Sequence, residues 1–431
     1  MLRITMLAPF GIRPKGTLLA RMLPLAQALA QRGHTLSIVA PPVHNPQDAA
    51  SRVVYGAVPV VHTPLPRTAG PAAILEQSYT LLQAARAEAP DLLHLFKPKG
   101  YGGLAALAAK PLGLPLVLDT DDWEGPGGWN ELLPYPVAAR QLFAWQERDL
   151  PRRAAAVTVA SRTLESLVWA MGVPPQRVFY LPNGVYGQVE NMRVVAKERE
   201  VTQKITSSSP LSHVVGEGAG GEGHLGRYSS LFAQSSDNPP PPTLLLYTRF
   251  WELDLAELAA ALVAIHLARP EVRLIVVGRG EQGEEEQLLA LAARAGFAPM
   301  LNYRGWLQPE AIPAVLAQAQ IALVPTRDTL INRARCSAKM LELMDAGLAI
   351  VATDVGEARS FINHEQSGLL VPPANPAALA AATLRLIADA PLRQRLAAGA
   401  RAATVAFHWA ALAQVAEAAY DCCRADDHHR R

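Results

Sequence analysis

The chain has 431 residues, 50% of them hydrophobic and 18% charged, with a formal net charge of +2. That length holds two domains with a core each, and the near-neutral balance gives no bulk reason to expect nucleic acid or an acidic partner. Three cysteines, two of them adjacent (Cys422, Cys423), have neither metal-ligand spacing nor a disulfide framework, which points to a reducing, cytoplasmic setting. The opening MLRITMLAPFG reads as a first strand rather than a signal peptide. Every Ala/Leu-rich stretch is interrupted by Arg, Glu or His before it reaches the roughly 18 apolar residues of a membrane span. Loose attachment to the inner membrane face stays open.

Strands and helices alternate from the start, the pattern of parallel sheets covered on both faces. Residues 2–8 are a strand, 9–16 a Gly/Pro loop, and 17–32 a helix with Leu19, Met22, Ala26 and Leu29 inward. RGHTLSIVAPP then turns at Gly33 into a second strand. Residues 91–96 and 115–120 are further buried strands. The latter runs into DTDDWEGPGGW, an acidic, Gly-rich loop at the end where parallel sheets bind ligands. Trp123 and Trp129 there are candidates to stack on a sugar ring of an acceptor, or to pack against the lobe. AAAVTVASRTLESLVWAMGVPPQRVFYLPNGV (154–185) closes the unit through strand, helix, Gly stop, strand and an Asn183-Gly184 turn. Residues 187–242 break the rhythm. Ser, Gly, Glu and Gln dominate, four prolines end the stretch, and nothing in it buries much apolar surface, so a disordered insert is expected.

A second unit opens with TLLLYTRFWELD, whose strand delivers Arg249 to its carboxyl end, and continues with VRLIVVGRGEQGEE, a buried strand into a Gly-x-Gly loop. By itself such a loop is a weak signal. The most informative stretch is RCSAKMLELMDAGLAIVATDVGE (335–357). Ser337 is the expected N-cap of a helix over 337–346, with Met340, Leu341 and Met344 on one face, Gly347 as the stop and a strand over 348–353. The first turn, with its unpaired N–H groups and Lys339 beside them, is an anion site. Glu342 is an acceptor-only carboxylate suited to a vicinal diol. Phosphate donors beside a diol acceptor describe a nucleotide-sugar.

KMLELMDAGLAIVATDVGE resembles the signature helix of retaining family-4 glycosyltransferases, close to K/S-x-x-E-A/Y-M-A-x-G-x-P-V-V-A-T-D-V-G-G. The resemblance covers residues 1–186 and 243–420. It implies an α/β fold of the GT-B kind, two Rossmann-like lobes with parallel sheets facing across a cleft. The expected boundaries are an acceptor lobe at 1–186, the insert at 187–242, a donor lobe at 243–405, and a helix with a charged tail at 406–431 that crosses back to the first lobe.

The implied reaction moves a hexosyl group from a UDP- or GDP-sugar to a hydroxyl of a glycan, lipid or small molecule, with retention and without a metal or other cofactor. By the same resemblance Glu342 holds the ribose, and Ser337, Lys339, Met340 and Leu341 form the donor-side turn. Gly16, with Gly11, lets backbone approach the diphosphate. Arg249 clamps it, Gly278 lies close to the nucleotide, and residues near Gly305 to Leu307 flank the base.

Asp119-Thr120-Asp121 is open to three readings. It is a metal-binding Asp-x-Asp, or Asp121 stands where the family carries a histidine near the donor sugar, or the loop is a solvated helix cap. Two family positions differ. Ala334 replaces a second glutamate, and Asp254 replaces a lysine five residues after the arginine, leaving Lys339 or Arg335 to supply that charge. An epimerase of the same fold and a catalytically silent nucleotide-sugar-binding homologue are the alternatives.

Overall fold

Buried hydrophobic runs four to six residues long, each followed by a loop and a helix, form parallel strands because both faces of such a sheet are covered. In the computed structural model, which describes residues 1–12, 16–186 and 241–430 (side chains to residue 425), they build two sheets. The first contains β1 (Arg3–Leu7), β2 (Thr35–Ala40), β3 (Arg52–Tyr55), β4 (Val58–His62), β5 (Leu92–Phe96), β6 (Leu116–Thr120), β7 (Ala156–Val159) and β8 (Val178–Tyr180). Their order is β3-β4-β2-β1-β5-β6-β7-β8, parallel except for the β3–β4 hairpin at one edge. The second contains β9 (Leu244–Tyr247), β10 (Leu274–Val277), β11 (Leu301–Tyr303), β12 (Ile321–Val324), β13 (Ala349–Thr353) and β14 (Leu369–Val371), in the order β11-β10-β9-β12-β13-β14 and wholly parallel. The insert expected at 187–242 lies, apart from its last two prolines, outside the described residues.

Strand order reverses between β1 and β5 in the first sheet and between β9 and β12 in the second. Loops leaving those strands diverge to opposite faces and open a crevice at the carboxyl ends, where ligands of such sheets bind. The two sheets are joined by shared packing. One apolar cluster contains Leu7, Leu118 and Val159 of the first lobe together with Leu245, Ala334 and Met340 of the second. The helix Trp409–Arg430 returns to the first lobe, where Trp409, Leu412, Ala416 and Tyr420 pack against Ile4, Leu25 and Val117. Gly184 is where the outgoing and returning chains cross. A Cβ there would meet the Phe407 carbonyl at 2.8 Å and the Trp409 ring at 2.8 Å, so only glycine allows the approach. No helix among the described residues is long and apolar enough to cross a membrane.

Candidate functional site

The helix expected after Cys336 spans Ala338–Asp345, capped by the Ser337 hydroxyl, which accepts the Met340 N–H at 3.4 Å. Met340, Leu341 and Met344 are buried, and Gly347, at φ +76°, ends the helix before β13. Its first turn faces the β9/β12 switch point across a solvent-open cavity lined by Thr248, Glu252, Thr326, Arg335, Ser337 and Lys339, among others. A second cavity opens beside it, lined by Asn332, Arg335, Ser337 and Glu357.

The cavity's charge comes from side chains that converge on Glu252. This carboxylate is buried at the end of a tight turn in which Phe250 adopts φ +67°, a strained value for a bulky residue. Its Oε1 lies 3.7 Å from the Arg335 guanidinium and 4.0 Å from the Lys339 ammonium, and accepts the Arg249 N–H at 3.2 Å. Burial works against its ionisation, but Arg335 and Lys339 outweigh it and hold the carboxyl below its usual range. Burial likewise pulls Lys339 down to about 8, partly offset by Glu252. Lys339 lies 4.8 Å over the Tyr247 ring and Arg335 4.8 Å over the Trp251 ring. Glu342, one turn further along, is half-buried. Burial and the charge of Glu342 together raise the Tyr247 phenol.

Arg249 does not join this group. Its side chain is 55% exposed and its Nη2 donates to Glu281 at 3.0 Å. Asp254, in the position of the family's lysine, caps the helix Leu255–Ala268 by accepting the N–H groups of Ala256 and Glu257. Gly278 (φ +132°) packs where a Cβ would lie 1.7 Å from the Thr248 carbonyl. Its N–H donates to the Gly305 carbonyl at 2.8 Å, tying those two loops together. Leu307 is half-buried against the shared core.

Across the cleft, loops after β1, β5 and β6 bring Thr17, Lys97 and Asp121 together. The Thr17 hydroxyl donates to Asp121 at 3.1 Å, and the Lys97 ammonium lies 3.4 Å from Asp121 and 2.5 Å from Asp122. Burial lifts the Asp121 carboxyl to about 6 even against Lys97. Lys97 itself, held at φ +61°, stays charged because Asp121 and Asp122 overcome its desolvation. Gly16 precedes Thr17 and stacks so close to Phe10 that a Cβ would meet the ring at 2.6 Å.

Two sets of alternatives left open by the sequence are narrowed here. Asp119 cannot serve a metal-binding Asp-x-Asp, because its carboxylate is wholly buried, paired with Arg21 at 2.6 and 2.9 Å and bonded by the Thr158 hydroxyl at 2.6 Å. Trp123 is not on the cleft surface. It is 7% exposed, packed in the core, with its indole N–H donating to the Pro126 carbonyl. Trp129 is half-buried at the lobe seam, edge-on to Trp251 at 4.7 Å.

Several residues of the seam carried no signal in the reading by motif. Glu357 of the second lobe accepts the Arg162 N–H at 2.6 Å and the Tyr180 hydroxyl at 2.5 Å, both from the first. The Asn183 amide donates to the Cys336 carbonyl at 2.8 Å, so Asn183 pins the lobes as well as turning the chain. The one available sign was Glu357 standing where the signature has the last glycine of its closing Gly-Gly pair.

A ligand cavity at the switch point of one parallel sheet, walled by cations and faced by a second sheet of like construction, defines a two-lobed α/β protein of the GT-B class. Family models agree along the chain. Residues 16–184 match the glycosyl transferase 4-like domain and residues 241–389 the glycosyl transferases group 1 domain. The chain belongs to this family of glycosyltransferases.

Among curated relatives it is 24% identical to the phosphatidyl-myo-inositol mannosyltransferase of Mycobacterium leprae, over 96% of this chain and 94% of that one. It is 26% identical to the GDP-mannose-dependent alpha-mannosyltransferase of Mycobacterium tuberculosis, over 80% and 77%. Among solved structures, sucrose-phosphate synthase from Thermosynechococcus elongatus superposes with a TM-score of 0.68 at 18% identity, covering 99% of this chain and 100% of that one. Anabaena HepE in complex with UDP and glucose superposes at 0.65 and 17% identity, covering 97% and 99%.

Proposed function

We propose that the protein is a retaining, metal-independent hexosyltransferase that moves a sugar from a UDP- or GDP-sugar to a hydroxyl acceptor. The observation that carries this reading is the cavity at the β9/β12 switch point, with the capped first turn of helix Ala338–Asp345 and Lys339 on its wall. The N–H groups of Ala338 and Lys339 lie in that first turn, which leaves its donors without intrahelical acceptors, and the helix dipole adds positive potential. These groups receive the donor's diphosphate, while Glu342, half-buried one turn on, accepts the ribose hydroxyls.

In the transfer step the bond from the sugar's anomeric carbon to the diphosphate oxygen breaks, and charge develops on that oxygen beside Lys339. The acceptor oxygen bonds to the same carbon from the same face, and its proton passes to the departing phosphate. Asp121, held by Thr17 and Lys97 across the cleft, orients the donor sugar. With Asp119 sealed by Arg21, the protein supplies positive charge itself and no ion is required.

Relatives named for mannosyl transfer, from GDP-mannose or to phosphatidyl-myo-inositol, support a hexose donor and a polyol hydroxyl as acceptor. Three cysteines that form no disulfide among the described residues support a reducing, cytoplasmic setting, with the acceptor met in solution or at the inner membrane face. A silent nucleotide-sugar-binding homologue is the second reading. It is favoured by Ala334, fully buried where the family has a glutamate, and by Asp254, engaged as a helix cap.

The test is transfer from UDP- and GDP-hexoses to inositol and glycan acceptors in excess EDTA, with product configuration read by NMR. Transfer with retention is expected, and Asp121→Asn should slow it with donor affinity little changed. Loss in EDTA restored by magnesium or manganese overturns metal independence. Donor binding without turnover on any acceptor selects the second reading.

A further inference from the structure

We infer that Arg335 joins Lys339 in receiving the donor's diphosphate in this protein, and that Glu252 is an internal anion which holds Arg335 and Lys339 in place until the diphosphate displaces it from them. This rests on the nucleotide-sugar reading of the cavity and assigns a residue within it.

Arg249, Lys339 and Arg335 stand near the switch point, and their directions differ. Arg249 points outward to Glu281 and is more than half exposed. Lys339 and Arg335 point inward, with side chains 23% and 17% exposed. Arg335 lines both cavities, so it reaches the volume next to the first helical turn and the volume next to the lobe seam. Its guanidinium carbon lies 4.8 Å from the centre of the Trp251 ring. A planar fork presenting parallel donors suits two phosphate oxygens better than an ammonium does.

Glu252 marks where an anion sits. Its carboxylate lies between the two inward cations at 3.7 and 4.0 Å, beyond hydrogen-bond length, and its buried Oε2 has no hydrogen-bond partner among the described residues. A buried carboxylate oxygen without a donor is costly, and the other oxygen, Oε1, which accepts the Arg249 N–H, is the one approached by cations that a diphosphate would engage at contact distance. The charge arrangement is that of an anion site held by a substitute of lower charge. Trp251, under Arg335, also meets Trp129 of the first lobe, so the guanidinium rests on the same ring that seals the seam.

The experiment is calorimetric titration of the full chain with UDP and with GDP, and with uridine and guanosine as phosphate-free controls. Arg335→Ala is expected to weaken diphosphate binding at least tenfold and to leave nucleoside binding unchanged. Arg335→Lys, which keeps the charge and the partner of Glu252, recovers part of the loss, so a folding defect in the alanine variant does not decide the result. Glu252→Gln is expected to tighten diphosphate binding severalfold. Unchanged diphosphate affinity in Arg335→Ala, with loss in Lys339→Ala, overturns the assignment and leaves the donor cavity standing. Weakened or unchanged binding in Glu252→Gln overturns the role of Glu252. Absence of diphosphate binding in the unaltered protein overturns the nucleotide-sugar reading and this inference with it.

Discussion

Lys339 gives the sharpest pH signature. Its ammonium is three-quarters buried, facing Glu252 and the Tyr247 ring, with Arg335, Arg249 and Glu342 near enough to act on its charge. Burial lowers it to about 8 from an ordinary value of 10.5, the two like charges add to the fall, and Glu252 and Glu342 resist it. A shift of that size corresponds to about 3 kcal/mol against the charged form. The unfolded chain therefore binds the extra proton between the two values, and folding stability rises with pH across that window.

Donor binding has the opposite dependence, because a diphosphate favours the charged form. Below the folded value the site is already charged. Above it, binding must take up a proton, and affinity falls towards tenfold per pH unit, so UDP or GDP should bind about eightfold less tightly at about pH 9 than at about pH 7.5. Titration calorimetry in buffers of different ionisation enthalpy measures both the affinity and the proton uptake. Lys339→Arg, whose charge does not titrate in this range, should flatten the profile. A flat profile in the unaltered protein, or the same slope in Lys339→Arg, refutes the placement of Lys339 against the diphosphate.

Glu342→Gln should weaken nucleotide-sugar binding by about 1.5–3 kcal/mol, since the ribose hydroxyls lose a charged acceptor; unchanged affinity by calorimetry removes the ribose role. Arg21→Met leaves Asp119 buried with only Thr158 as a hydrogen-bond donor, and should cost about 3–5 kcal/mol in denaturant unfolding. An effect below about 1 kcal/mol would show that the buried pair with Arg21 adds little to stability. Glu357→Ala removes two hydrogen bonds that cross the seam, each worth about 1.5–3 kcal/mol, and should widen the distribution of lobe separations in small-angle scattering. Scattering and unfolding temperature both unchanged would mean the seam is held by its apolar packing alone.

Local features were legible in the amino-acid order. The Ser337 cap, the Gly347 stop and the buried face of Met340, Leu341 and Met344 depend on neighbours within one or two turns, so propensity and period were enough to place them. The strands announced themselves as short apolar runs, and their alternation with helices implied two parallel sheets.

What the tertiary structure alone decided concerns side chains whose partners are remote in sequence. Asp119 looks like half of an Asp-x-Asp until Arg21, 98 residues away, closes over it. Glu357 is an ordinary polar residue until Arg162, 195 residues away, meets it at the seam. Arg249 and Arg335 are equal candidates by residue type, and their directions separate them, one towards Glu281 and solvent, the other towards Glu252 and the cavity. Trp123 and Trp129 lie six residues apart in one loop, yet one fills a core and the other meets the opposite lobe. Covalent order sets which groups are near along the chain. Folding of the second lobe sets which charges are desolvated together, and it was that arrangement which brought Arg335 and Lys339 to Glu252 in the cavity.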